Sequence, residues 1–337
     1  MTSRTPISRL LAKFTQENNE HKSLKLESNY SDFPQDRPAV DCLSLSEFEW
    51  MIELPKRSYE DCTEFLNLVG SLITPKPKTA FELLEEASGQ LIPTMLPDLN
   101  IALKGGLCAG HLIEIAGRTG TGKTQWCMSL STKLSIEEKK GTIYFDTERR
   151  FSPNRFMEIV SSNGGSEEDM QRIRVVRAEN MTCFEILSTL KSYEPSFLKD
   201  RIGLLILDSI NAAAYVGNAT ILDRQASLTK LAAEFKKIAD AFQIPFVLTN
   251  QSTGYQNDSF CSLGTGWYHF VNTRLFLSAT EARKTVTIVK SPMSNEYVSE
   301  YMITSVGVCP TVSKIEQVLQ EWKDVFANLS PAELESL

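Results

Sequence analysis

The segment Gly117–Thr124 reads GRTGTGKT and fills every fixed position of the phosphate-loop pattern G-x-x-x-x-G-K-[ST]. Few eight-residue stretches constrain a fold as tightly. Glycines let the backbone turn so that the N–H groups of Gly117, Arg118, Thr119, Gly120, Thr121 and Gly122 face phosphate oxygens. The N-terminus of the next helix adds a partial positive charge. Lys123 is placed to reach the β- and γ-phosphates, and the Thr124 hydroxyl to hold Mg²⁺. A chance glycine turn is the competing reading. It fits poorly, because an apolar run (Leu112–Ala116) precedes the loop and a helical stretch (Gln125–Leu134) follows it. The chain is therefore expected to bind a nucleoside triphosphate, ATP, with Mg²⁺.

Length and composition set the frame. At 337 residues the chain accommodates one large domain and a smaller one. Its 42% hydrophobic and 23% charged fractions are those of a globular protein, with no apolar run of membrane-spanning length. Residues Met1–Gln16 are basic and amphipathic and carry no acid. They read either as a surface helix or as a mitochondrial-type targeting segment. Seven cysteines are dispersed without metal spacing, which suggests a reducing compartment and mostly buried thiols. The net charge of −7 argues that this subunit supplies only part of any nucleic-acid surface.

The texture changes along the chain. Residues 1–40 read as a polar, mobile arm. Residues 41–73 carry helical patterning and form a small helical domain, with Ser46 or Asp61 as N-terminal caps. Residues 74–78 (TPKPK) are a stiff linker. From 79 to 310 short apolar strands alternate with amphipathic helices. The strands are Leu112–Ala116, Thr142–Phe145, Arg174–Val176, Leu204–Leu207, Phe246–Thr249, Thr273–Leu277 and Val286–Lys290. Ser227–Phe242 is one of the helices. The pattern predicts a mostly parallel sheet covered by helices on both faces, with the last two strands as an antiparallel extension. Residues 311–337 form an amphipathic helix, packed on its own domain or docking a partner.

Three further elements bear on chemistry. The apolar strand LLILDS ends in Asp208, positioned to serve Mg²⁺. YFDTE ends in acids, of which Glu148 is the candidate to orient a water for in-line attack on the γ-phosphorus. Asp146 and Glu148 as mere loop solvators is the alternative. FVLTNQ delivers Gln251, an amide able to sense an intact γ-phosphate.

With these elements in place the chain resembles the RecA/RadA strand-exchange recombinases, and within them the eukaryotic recombinase paralogues, the B-type group being the candidate subgroup. The resemblance spans residues 79–308. It rests on the phosphate loop followed by Gln125, YFDTERRFSPNRF (144–156), LLILDS, VLTNQ, LGTGWYHFVNTRLFL (263–277) and KSP (290–292). It implies a RecA-like P-loop α/β core behind a small helical domain, and a weak DNA-dependent ATPase. Lys123, Thr124, Asp208, Glu148 and Gln251 have the residue types this family uses for phosphate, magnesium, water activation and γ-phosphate sensing. Gln125 joins the nucleotide contacts, and Lys290 and Pro292 would cap the nucleotide of an adjacent protomer. Trp267, His269 and Arg274 match family positions, with a buried Trp and a buried salt-bridging Arg as the plainer readings.

The departures are informative. The first loop that recombinases use to hold DNA corresponds to 212–224 and contains one basic residue, Arg224. The second, 252–266, contains none, and carries Asp258. Self-polymerising members carry a Phe three residues before an Ala, whereas Pro77 stands three before Ala80. The resemblance therefore implies an accessory (mediator) subunit of homologous-recombination repair in the nucleus. Its partners would be other recombinase paralogues and the main recombinase, with single-stranded or junction DNA bound weakly, as part of a complex, and no membrane. The alternatives are a self-filamenting recombinase and an ATP-binding structural module with vestigial hydrolysis.

Overall fold

A computed structural model describes residues 33, 39–74, 77–82, 91–217, 220–252 and 263–311. Most of the 1–40 arm, part of the 74–78 linker, most of the second candidate DNA loop and the 311–337 helix therefore lie outside the described residues. The chain divides into two compact units, residues 1–87 and 88–337.

The first unit contains α1 (Ala39–Leu43), α2 (Glu47–Glu53) and α3 (Tyr59–Ile73). Ser46 caps α2 through a reciprocal bond with Glu49, as expected. The expectation for Asp61 is corrected. Ser58 is the cap of α3, and Asp61 sits three residues inside, returning its carboxylate to the Ser58 backbone N–H at 2.9 Å. Both ends are capping boxes, which satisfy two backbone donors that the helix itself leaves unpaired. Phe33, Trp50 and Phe65 close the small core, with the Phe33 and Phe65 rings stacked 3.8 Å apart.

The second unit opens with a short ladder of β1 (Leu91–Ile92) and β2 (Leu107–Cys108) around α4 (Pro97–Ala102). Next come β3 (Leu112–Gly117), α5 (Lys123–Glu138), β4 (Gly141–Asp146), α6 (Pro153–Ser162), α7 (Glu167–Gln171) and β5 (Ile173–Arg177). These are followed by α8 (Cys183–Lys199), β6 (Ile202–Asp208), α9 (Ile210–Tyr215), α10 (Ile221–Phe242), β7 (Phe246–Gln251) and α11 (Gly264–Phe270). The last strands are β8 (Thr273–Ala279), β9 (Lys284–Lys290), β10 (Tyr297–Thr304) and β11 (Gly307–Pro310). Among the described residues the main sheet has nine strands in the order β11-β10-β9-β8-β3-β7-β6-β4-β5. From β8 to β5 neighbouring strands run parallel, and β9, β10 and β11 extend the sheet antiparallel.

Strand alternation explains why both faces are buried. Leu112, Ile143, Phe145, Leu205, Leu207, Phe246 and Leu248 enter one core, which α8 and α10 cover. Ile113, Ile115, Tyr144, Leu204, Ile206 and Val247 enter the other, which holds α5. All seven strands read from the sequence are present, but β8, expected to belong to the antiparallel extension, runs parallel to β3, and only β9 of that pair is antiparallel. β1, β2, β10 and β11 were not anticipated. The segment Gly264–Phe270 is a helix that precedes β8.

Candidate active site

The phosphate loop sits where β3 meets α5, at the carboxyl edge of the sheet, the usual ligand edge of such folds. Gly117 lies so close to β8 that a Cβ there would fall 2.5 Å from the Leu277 carbonyl oxygen. Gly120 and Gly122 have φ of +85° and +99°, a region that L side chains rarely adopt. The Thr121 hydroxyl donates to the Arg118 carbonyl at 2.9 Å and closes the turn. Lys123 folds back over the loop and donates to the carbonyls of Gly117 and Arg118 at 2.8 and 3.0 Å. Burial lowers its pKa, opposed by Asp208 and Glu148 and reinforced by Arg150. An ammonium buried on backbone carbonyls gains free energy when a phosphate replaces them.

Asp208, at the end of β6, is almost fully buried. Its Oδ2 accepts from the Thr124 and Tyr144 hydroxyls, both at 2.7 Å, and its Oδ1 from the Thr249 hydroxyl. A carboxylate beside a hydroxyl is the hard-oxygen set that Mg²⁺ takes. The residues present thus fit both nucleotide and metal.

Glu148 lies just past β4. One of its oxygens accepts from the Ser209 hydroxyl and the other pairs with Arg150. Its neighbour Asp146 is no loop solvator. It is fully buried and accepts from the backbone N–H groups of Arg150 and Phe151 at 3.0 and 3.1 Å, with Arg177 closing the set. Asp146 therefore builds the turn that carries Glu148. Gln251 ends β7, with its backbone N–H on Asn211 and its side-chain amide donating to the Thr119 hydroxyl at 3.0 Å. Gln125 accepts from Arg155 at 2.8 Å, which ties the first turn of α5 to α6. Lys123, Thr124, Asp208, Glu148 and Gln251 thus converge on one edge of the sheet.

Lys290 and Pro292 do not join them. Lys290 pairs in register with Arg274, while Leu277, three residues further along β8, is opposite Gly117. That separation is about 10 Å of strand. Lys290 donates to the Tyr268 carbonyl at 2.8 Å, and Pro292 is exposed. Trp267 and Arg274 follow the plainer readings. Both are buried and both donate to Glu114, which Asn250 also serves at 2.6 Å. His269 is exposed.

In the first loop Arg224 stacks over the Tyr215 ring, 4.4 Å from its centroid. The thiols of Cys42, Cys62, Cys127 and Cys183 are buried, Cys183 being pushed up to about 11 by burial. No described helix is long and apolar enough to cross a membrane. Residues missed by sequence reasoning are Tyr144, Thr249, Ser209, Arg150 and Glu114. A signal for Thr249 was available, since it lies two residues before Gln251 and alternation puts both on one face.

A glycine cradle between a buried parallel strand and a buried helix, with a Thr–Asp oxygen pair beneath it, defines a RecA-like P-loop ATPase. The Rad51 family model matches residues 91–311. "DNA repair protein RAD51 homolog 2" of Homo sapiens is 30% identical, over 87% of this chain and 86% of that protein. Its Arabidopsis thaliana namesake is also 30% identical, over 80% of this chain and 84% of that protein. "DNA repair protein RAD51 homolog 4" of Bos taurus is 27% identical, over 64% and 72%. The chain belongs to the Rad51 family, and its resemblance to the recombinase paralogues is borne out.

Proposed function

We propose that the chain is an ATP-dependent accessory (mediator) subunit of homologous-recombination repair, acting in the nucleus within a complex of recombinase paralogues that assists the main strand-exchange recombinase. One pairing of features carries the reading. A complete phosphate-loop site stands on a Rad51-family core, beside a first DNA loop whose single basic residue, Arg224, already lies over Tyr215. Affinity for DNA scales with the phosphates neutralised, so that loop favours weak, salt-labile binding, effective mainly inside a larger assembly.

The roles follow from placement. Lys123 and the loop N–H groups bind the phosphates. Thr124 and Asp208 hold Mg²⁺, which when bound neutralises developing charge on the phosphates. Glu148 orients the attacking water, and Gln251 senses the γ-phosphate through the bond it now makes to Thr119. Lys290 and Pro292, remote from this chain's own loop, cap a neighbour's nucleotide. The small helical domain at 41–73 and the core at 79–310 act as separate modules.

The test is the ATPase rate, single-stranded DNA affinity and size-exclusion profile of one purified sample. Feeble turnover, salt-labile DNA binding and a small oligomer support the proposal. Filaments with strong DNA-stimulated hydrolysis would replace it with the self-filamenting recombinase. Lys123→Ala is expected to weaken ATP binding on the order of a hundredfold. Glu148→Gln is expected to keep binding and slow turnover by roughly 10²–10⁴. Normal turnover in Glu148→Gln would show that another group serves as the base.

A further inference from the structure

We propose that Arg150 is a γ-phosphate-responsive clamp on Glu148, a positioning residue that holds the glutamate until ATP draws the guanidinium away. The inference rests on the reading of Glu148 as the water-orienting residue. Both oxygens of Glu148 are taken, one by the Ser209 hydroxyl and the other by Arg150. A carboxylate whose two oxygens already hold donors has fewer free lone pairs with which to orient a water.

The turn that delivers Arg150 is built for that placement. Buried Asp146 holds the backbone N–H of Arg150 at 3.0 Å and of Phe151 at 3.1 Å. Arg149, at φ +55°, leaves the turn the other way and pairs with Glu179. The two adjacent arginines are thus sent to different carboxylates, and only Arg150 faces the nucleotide site. Ser209, on the other oxygen of Glu148, directly follows Asp208, the partner of Thr124, which places the pair beside the nucleotide site.

Magnitudes favour release on ATP binding. The Arg150 side chain is 43% exposed and that of Glu148 25%. A half-exposed ion pair of this kind shifts an equilibrium by about fivefold at most. A γ-phosphate offers a guanidinium more charge and several acceptor oxygens in a geometry suited to a two-pronged contact. ADP lacks that group. Clamp and release therefore predict discrimination between the two nucleotides that passes through Arg150.

The experiment titrates the full-length chain, in Mg²⁺ buffer, with fluorescent mant-ATP and mant-ADP, for the wild type, Arg150→Ala, Arg150→Lys and Glu148→Gln. Arg150→Ala is expected to weaken ATP about tenfold and ADP less than twofold, with Arg150→Lys recovering part of the loss. Glu148→Gln, which frees the guanidinium, is expected to tighten ATP about two- to threefold and leave ADP unchanged. ATP and ADP weakening together in Arg150→Ala, or neither changing, would overturn the clamp. A wild-type chain that binds neither nucleotide would remove the proposed function and the clamp with it. Unaltered turnover in Glu148→Gln removes only the assignment of the water-orienting residue.

Discussion

Two buried carboxylates of the same sheet, Asp208 and Glu114, receive opposite treatment. Glu114, in the middle of β3, is fully enclosed and meets a guanidinium, an indole N–H and an amide, from Arg274, Trp267 and Asn250. Its charge is neutralised within the fold. Asp208, at the end of β6, meets the hydroxyls of Thr124, Tyr144 and Thr249. Hydroxyls stabilise a carboxylate without cancelling its charge, and each can turn away or accept in its place. The difference teaches how to separate a structural acid from a site acid when both are buried. A fixed cation marks the first, and a ring of neutral donors beside a phosphate loop marks the second.

The largest effect that bears on this contrast lies at the structural pair. Arg274→Ala strands a buried anion and is expected to cost about 3–5 kcal/mol in urea unfolding. Replacing both partners with apolar residues, Glu114→Leu with Arg274→Met, is expected to recover most of that loss. A cost below about 1 kcal/mol for Arg274→Ala would mean that Glu114 is not held as a charge. Tyr144→Phe probes the other side. It removes one donor of three and is expected to cost about 1 kcal/mol of stability. The Mg²⁺ concentration needed for half-maximal mant-ATP binding should shift by several-fold in the same variant. A stability loss with no change in Mg²⁺ requirement would make Tyr144 a packing residue only.

A third carboxylate, Glu234, extends the series to the surface. It lies between Lys191 of α8 at 2.9 Å and Lys237 at 2.6 Å, and these bonds hold its pKa down at about 2, against an ordinary 4.5. A depressed folded-state value means stabilisation that is present above pH 4.5 and lost as the pH falls towards 2. For a pair near solvent that contribution is about 1 kcal/mol. Comparing Glu234→Gln with the wild type, the gap in unfolding midpoint should therefore close between pH 4.5 and 2. A gap that persists at the acid end would assign it to lost packing.

Most of the sheet was legible because its central strands are uninterrupted apolar runs with a single reading. β10 (YVSEYMIT) has neither a clean alternation nor an unbroken apolar run and follows a Pro-Met-Ser-Asn stretch, and β11 spans only Gly307–Pro310, so neither stands out from a loop. The α3 cap was misplaced because Ser58 and Asp61 occupy the two ends of one reciprocal motif. At the site, the residue types of the phosphate loop, Asp208, Glu148 and Gln251 were readable from their strand-end positions. Their partners were not. Tyr144, Asp208 and Thr249 meet because β4, β6 and β7 are neighbours in space, an order the linear chain does not display. The Arg150–Glu148 pair depends on a turn whose direction Asp146 sets from inside.

The antiparallel extension also ties the loop to the far end of the chain. The Tyr301 hydroxyl donates to the Thr121 carbonyl at 2.6 Å across 180 residues. The Val308 N–H rests on Ser129 at 2.9 Å, and Ile303 fills the space beside Gly122. A ribosome adding about 5–20 residues per second needs roughly 10–40 s to get from the loop to these contacts. Until then the nascent phosphate loop lacks its backing, and a chain cut short before Tyr297 would leave it permanently half-built.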